Sequence, residues 1–145
     1  YWMRVVLYVL LLFTSAACFA QDRIRWSSFE RLQFEEVYDK ESSMWLQVPR
    51  WTDKDRELDG KLVEITGYVI ALDVLSDDYA LSAFPFASCF FCGAAGPESV
   101  MELKLKNKEK YLTDEVHTFQ GILKLNEGAY TFPLTLLNAK SLSKP

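Results

Sequence analysis

The chain has 145 residues, half of them hydrophobic, with 16 basic and 20 acidic side chains and a formal net charge of −4. That length suits one domain with one modest core. An acidic chain with no basic stripe is a poor binder of nucleic acid or anionic membrane, so both are set aside as partners.

The first twenty residues, 1–20, read as a secretory signal peptide. Arg4 supplies a basic start, Val5 to Phe13 an apolar run, and Thr14 to Ala20 a small-residue end, before polarity returns at Gln21-Asp22. Met3 reads as the true start, and cleavage after Ala20 fits. The apolar run falls short of the about 20 residues that a bilayer span takes, so no membrane span is expected. Ser15-Ala16-Ala17-Cys18 also has lipobox character, which makes a lipoprotein anchored at Cys18 the less favoured alternative. The expected location is periplasmic or secreted. Arg4 is the only charge in the leader, so the exported part is more acidic than the whole.

Residues 21–57 are expected to form an N-terminal arm packing on the main domain. Trp26, Phe29, Leu32, Phe34, Val37, Tyr38, Trp45 and Leu46 are scattered among polar residues with no lasting stripe. This predicts a short helix or turn, then irregular or extended chain wrapped around a barrel. The aromatic residues are most simply read as packing of the arm, and Glu35, Glu36, Asp39 and Glu41 as a wet face. Pro49 and the run Asp53 to Glu57 mark a loop.

Residues 58–145 read as a β domain. Leu58-Asp59-Gly60 turns into a strand from Lys61 to Asp73. Val63, Ile65, Val69 and Ala71 share one face, and Leu62, Glu64, Thr66, Tyr68 and Ile70 the other. Alternation with β-branched residues is the signature of a strand, and Gly67 inside it suggests a bulge or sharp bend. Ser76-Asp77-Asp78 is read as a hairpin tip, and Tyr79 to Phe84 as the returning strand. A third strand, Ser99 to Lys106, would turn Met101, Leu103 and Leu105 inward. A fourth, Val116 to Leu125, would carry Phe119, Leu123 and Leu125 on its apolar face, with His117 and Gly121 in register. Tyr130 to Leu142 is the predicted fifth, with Pro133 at an edge or bulge. The expected fold is therefore mainly β: a small five-stranded OB-like barrel with an irregular N-terminal arm.

The most chemically committed stretch is Phe84 to Glu98, which holds the only two cysteines outside the leader, Cys89 and Cys92, followed by Gly93. Outside the cytosol, two neighbouring thiols either pair or hold a metal. Cys-x-x-Cys-Gly has the shape of a zinc knuckle, with Gly93 freeing the turn so that backbone N–H groups face the sulfurs. A complete structural site needs four ligands, and Glu98, Glu102, His117 or a second chain are the candidates for the remainder. The alternatives are a Cys89–Cys92 disulfide and a redox dithiol. Gly93, Gly96 and Pro97 would break the helix that activates a thioredoxin-type pair. Residue 93 is not the histidine that haem attachment needs. His117, the only histidine, is more simply a hydrogen-bonded core residue than a ligand. No Ser-His-Asp order, phosphate loop or His-Glu-x-x-His motif is present.

Leu58-Asp59-Gly60-Lys61, Glu64 to Tyr68, Ala87 to Gly93, Gly96 to Val100, Gly121 to Lys124 and Leu137-Asn138-Ala139 together resemble the DUF3299 family of exported bacterial proteins of unknown function. The resemblance covers residues 44 to 142, roughly, and the cysteine block is its most specific part. Many members of that family carry a Cys, then a His and a proline-rich run, where this chain has Cys89, Cys92 and Gly93-Ala94-Ala95-Gly96. The resemblance implies an exported, OB-like domain loosely linked to the envelope or to metal handling. Residues and resemblance together lead to one expectation: a non-enzymatic exported module that holds or hands on a soft metal such as zinc. A thiol–disulfide redox protein is one alternative. Another is a partner-binding accessory subunit of an envelope complex, stapled by a disulfide and using the aromatic arm around Trp26, Trp45 and Trp51.

Overall fold

The structure, a computed structural model, describes residues 22–73 and 75–143. The predicted leader and Cys18 lie outside the described residues. The chain forms β1 (Asp22–Arg23), a 3-10 turn (Trp26–Ser28), β2 (Gln33–Asp39), β3 (Met44–Arg50), α1 (Asp53–Arg56), β4 (Leu62–Asp73) and β5 (Asp78–Ser82). Three further 3-10 turns, Phe86–Ser88, Phe90–Cys92 and Pro97–Ser99, lead into β6 (Val100–Leu105), β7 (Val116–Leu125) and β8 (Leu134–Ser141).

The main sheet runs β1-β4-β5-β6-β8-β7, and a further β4–β7 pairing closes five of these strands into a barrel. Within the barrel only the β6–β8 pair is parallel. This is the predicted OB-like architecture, with β1 added as an extra parallel strand on β4. Closure depends on β4 serving two neighbours. Leu62 to Tyr68 pair with β7, and Tyr68 to Asp73 pair with β5. Gly67 sits beside that hand-over. A Cβ there would lie 2.7 Å from the Ser82 carbonyl oxygen and 2.9 Å from Leu81 Cγ. Gly121 on β7 is as tightly faced, by the Leu137 carbonyl oxygen at 2.7 Å.

The alternating pattern of β4 is realised: Val63, Ile65 and Val69 are buried inside, and Thr66 is exposed. They meet Leu81, Met101, Leu103, Phe119, Leu123, Leu134 and Leu136 in one core. The two ends of the N-terminal arm join it. Ile24, Phe29 and Trp51 are buried there, and Trp26 and Leu32 pack against it. Two indole N–H groups pin these ends: Trp26 donates to the Thr66 carbonyl at 2.8 Å and Trp51 to the Asn126 carbonyl at 2.9 Å.

Between those anchors the structure departs from expectation. Residues 33–50 are not irregular chain but a regular antiparallel hairpin, registered from Gln33↔Arg50 to Asp39↔Met44. Most of its residues are exposed on both faces. A strand that buries neither face has no need of the alternation by which a half-buried strand is recognised. The tip carries Val37, Tyr38, Met44 and Trp45 in the open, with Tyr38 and Trp45 rings 5.3 Å apart. The predicted fifth strand also begins later than expected. Tyr130 to Pro133 belong to the loop before β8, since Pro133 supplies no N–H to a ladder.

Asp39 ties the hairpin tip to that loop. Its carboxylate accepts from the Ser42 hydroxyl at 2.7 Å and the Tyr130 hydroxyl at 2.8 Å. The Ser42 hydroxyl first, then that of Tyr130, hold its pKa down at about 2. The folded value lies below the ordinary 3.8, so this tether is fully present above pH 3.8 and is lost as pH falls towards about 2. Carboxyl NMR titration is expected to place the Asp39 midpoint near 2, and Tyr130→Phe to raise it. An Asp39 midpoint at the ordinary value in the unsubstituted chain would show that the tether is not formed.

Candidate functional site

The cysteine loop fills the connection between β5 and β6. Its base is closed by the Ala83 N–H on the Ser99 carbonyl at 2.9 Å, and Ser82 Oγ accepts the Phe84 N–H at 3.1 Å. Asp114 Oδ1 accepts the Phe86 N–H at 2.7 Å, fastening the loop to the segment before β7. Proline and glycine break the path into single 3-10 turns, as the sequence requires, and Gly93 takes φ 72°. The loop lies over the outside of the barrel. Ile70, Ala80 and Val100 point away from the main core, yet are fully buried. Phe132 packs on them, and Phe91 of the loop meets Phe132 edge-on at 6.1 Å.

The loop brings Cys89 and Cys92 together as free thiols, Cys89 buried and Cys92 exposed. Both point at one atom: the Phe86 carbonyl oxygen accepts from Cys89 Sγ at 3.1 Å and from Cys92 Sγ at 2.9 Å. The expected arrangement, with backbone N–H groups facing sulfur, is not what forms. The Cys92 and Ala94 N–H groups donate to the Cys89 carbonyl instead, at 3.2 and 3.3 Å. For Cys92 the physical reason is the 3-10 turn, which sends an amide back to the carbonyl three residues before; the Ala94 amide reaches the same carbonyl once Gly93 has turned the chain in the left-handed region. A carbonyl facing two sulfurs favours S–H over thiolate. Partial removal from water is the main cause that pushes the Cys92 thiol up in pKa, and its contact with Cys89 adds to it.

The other predicted ligands lie elsewhere. Glu98 turns its carboxylate onto Gly96. Glu102 pairs with Lys104 at 2.7 Å and accepts from Thr135 Oγ1 at 3.3 Å. His117 is buried in the barrel wall. Its Nδ1 lies 3.1 Å from Ser141 Oγ and 3.2 Å from the Ser143 carbonyl, and its ring stacks edge-on against Tyr111. Among the described residues, no group of three or more His, Cys, Asp or Glu is placed to hold a metal ion. Glu115 lies 3.4 Å from His117 Nε2, which completes a serine–histidine–acid inventory with Ser141. The Ser141 hydroxyl, however, donates to the Ser143 carbonyl at 2.7 Å, so its proton is not directed at the imidazole.

Sequence reading missed a groove beside the loop. It holds about 570 Å³ and runs between the hairpin base and the barrel. Phe34 and Pro49 line one side, Phe90, Phe91 and Phe132 the other. Phe84 and Phe86 are also partly exposed nearby in sequence. The signal was present, since four phenylalanines flank the cysteines within eight positions, Phe84 to Phe91. Their facing wall comes from the hairpin, which is remote in sequence.

Fold and loop together define an OB-like β-barrel that carries a free dithiol on its outer face. No protein-family model, no curated protein and no solved structure matches the chain. Among the described residues no helix is long and apolar enough to cross a membrane.

Proposed function

We propose that this chain is an exported, non-enzymatic binding module whose Cys89–Cys92 loop holds a soft metal ion. The observation that carries the reading is the convergence of both sulfurs on the Phe86 carbonyl, at 3.1 and 2.9 Å, with Cys92 open to solvent. Thiolates are the ligands that soft ions select. The likeness of the cysteine block to DUF3299 proteins fits an exported role at the envelope. A thiol oxidoreductase is less well supported. Its attacking cysteine must stand as a thiolate in the resting protein, whereas Cys92 is pushed up; a metal ion meets the same cost but drives both protons off as it binds. Metal analysis of reduced protein purified without chelator is expected to find stoichiometric metal, and none in Cys89→Ser/Cys92→Ser. Bound metal at a hundredfold excess over Kd would also add about 2.7 kcal/mol of stability. Equal, negligible metal in both proteins rejects the reading.

A second reading is favoured by the hairpin tip, where Trp45 is 66% exposed and Met44 58%. Large apolar side chains held in the open on a fixed arm suit contact with another protein. Trp26 and Trp51 take no part in this, being pinned to the barrel. A photo-crosslinking residue at Trp45, in intact cells, is expected to trap one defined product that the same residue at exposed Lys54 does not. Identical crosslinks from both positions would discard the idea.

A further inference from the structure

We infer that the ion held by Cys89 and Cys92 is monovalent and two-coordinate, of the copper(I) or silver(I) class, and that it enters and leaves past Cys92. This rests on the soft-metal reading proposed above and narrows it.

Donor number decides between ions. Zinc in a structural site takes four ligands, and even an open site takes three from protein. Here two sulfurs converge, and no third His, Cys, Asp or Glu among the described residues joins them. Of the other candidates, Glu102 is engaged with Lys104 and His117 with Ser141, and Glu98 turns onto Gly96. Two thiolates beside a neutral backbone carbonyl, with no further His, Cys, Asp or Glu among the described residues, are a poor donor set for a divalent ion of tetrahedral habit. They satisfy a soft monovalent ion, for which thiolate is the preferred donor.

The chemistry balances without a further reactant. One monovalent ion replaces two protons: both S–H bonds break, two sulfur–metal bonds form, and the protons leave to solvent. No electron moves. The Phe86 carbonyl, which accepts from both thiols, is the marker of where the replaced protons sit. Direction of exchange follows from exposure. Cys89 is 0% exposed and Cys92 faces solvent, so an incoming thiolate donor can reach the ion only from the Cys92 side.

The test uses the chain pre-reduced and kept anaerobic. Copper(I) is titrated against a chromogenic chelator, silver(I) serves as a redox-inert control, and zinc(II) is titrated in parallel. Expected are equimolar copper(I), a monomer by light scattering, two sulfur neighbours by X-ray absorption, and copper(I) retained at least about a hundredfold more tightly than zinc. Cys92→Ser, at an exposed position that leaves the barrel packing alone, is expected to abolish equimolar binding while circular dichroism is unchanged. Zinc bound at one ion per two chains, with four sulfurs and a dimer, overturns this inference and leaves the soft-metal reading standing. Binding of neither ion, or equal binding by Cys92→Ser, overturns both.

Discussion

Gly67→Ala is expected to destabilise the barrel by about 3 kcal/mol, the upper end for overpacking a tight site, and Gly67→Val by more. The added carbon would meet the Ser82 carbonyl oxygen at 2.7 Å and Leu81 Cγ at 2.9 Å. A flexible side chain could turn away, but a backbone oxygen in a ladder cannot. Tyr68 pairs with Ser82 at this point, so the oxygen can retreat only by parting β4 from β5. Gly121→Ala should act alike against the Leu137 carbonyl oxygen. Domains of this size are stable by about 5–15 kcal/mol, so the double variant approaches the limit of folding. Gly128→Ala is the control, because its nearest neighbour would be a side-chain oxygen at 3.5 Å. Urea denaturation read by circular dichroism measures all five variants. A Gly67→Ala midpoint equal to that of Gly128→Ala would mean that the strands do not approach as described. The effect should reach the cysteine loop, because Ser82 Oγ also accepts the Phe84 N–H where that loop begins.

Phe119→Ala is expected to cost about 3–5 kcal/mol, as full truncation of a buried aromatic side chain does. Phe119 is 0% exposed and stands where β7 pairs with both β4 and β8. Its ring meets Tyr111 at 5.4 Å and His117 at 5.8 Å. Those neighbours cannot close the gap. Tyr111 is held through its hydroxyl on Glu109 and His117 through Ser141. Desolvation raises the Tyr111 phenol well above its ordinary pKa, so it stays a neutral donor there. Phe119→Leu keeps most of the volume and should lose less than about 1.5 kcal/mol. Thermal melting of the three proteins gives the comparison. Phe119→Ala melting with Phe119→Leu would argue that the cavity collapses and that the ring cluster is loose.

The barrel was readable because its strands are half-buried. Val63, Ile65, Val69, Met101, Leu103, Leu123 and Leu125 fall at every second position of their strands and are all turned inward. Gly67 suggests a bulge or bend, yet the shifts of register fall between Ala71 and Asp73 and between Gln120 and Ile122; Gly67 and Gly121 both sit where a side chain has no room. The hairpin was not readable. Glu35, Glu36 and Val37 run together in β2 because neither face is sealed, and the pairing with β3 is remote from any local signal. At the site, the Cys-x-x-Cys-Gly spacing did bring the sulfurs together. It could not reveal that a carbonyl rather than amides would face them. That depends on whether each turn closes as a 3-10 bond, which is a matter of backbone path and not of residue type.

By itself, the sequence determined a mainly β chain, the inward faces of β4, β6 and β7, and two thiols on a loop that proline and glycine keep from becoming helix. Each of these follows from short-range rules: side-chain period, β-branching and allowed backbone angles. Only the tertiary structure decided that Glu98, Glu102 and His117 form no metal-capable group with those thiols among the described residues, that Phe132 covers Ile70, Ala80 and Val100, and that a hairpin walls a groove beside the loop. Those facts are distances between segments far apart in the chain, and they exist only once the barrel has closed.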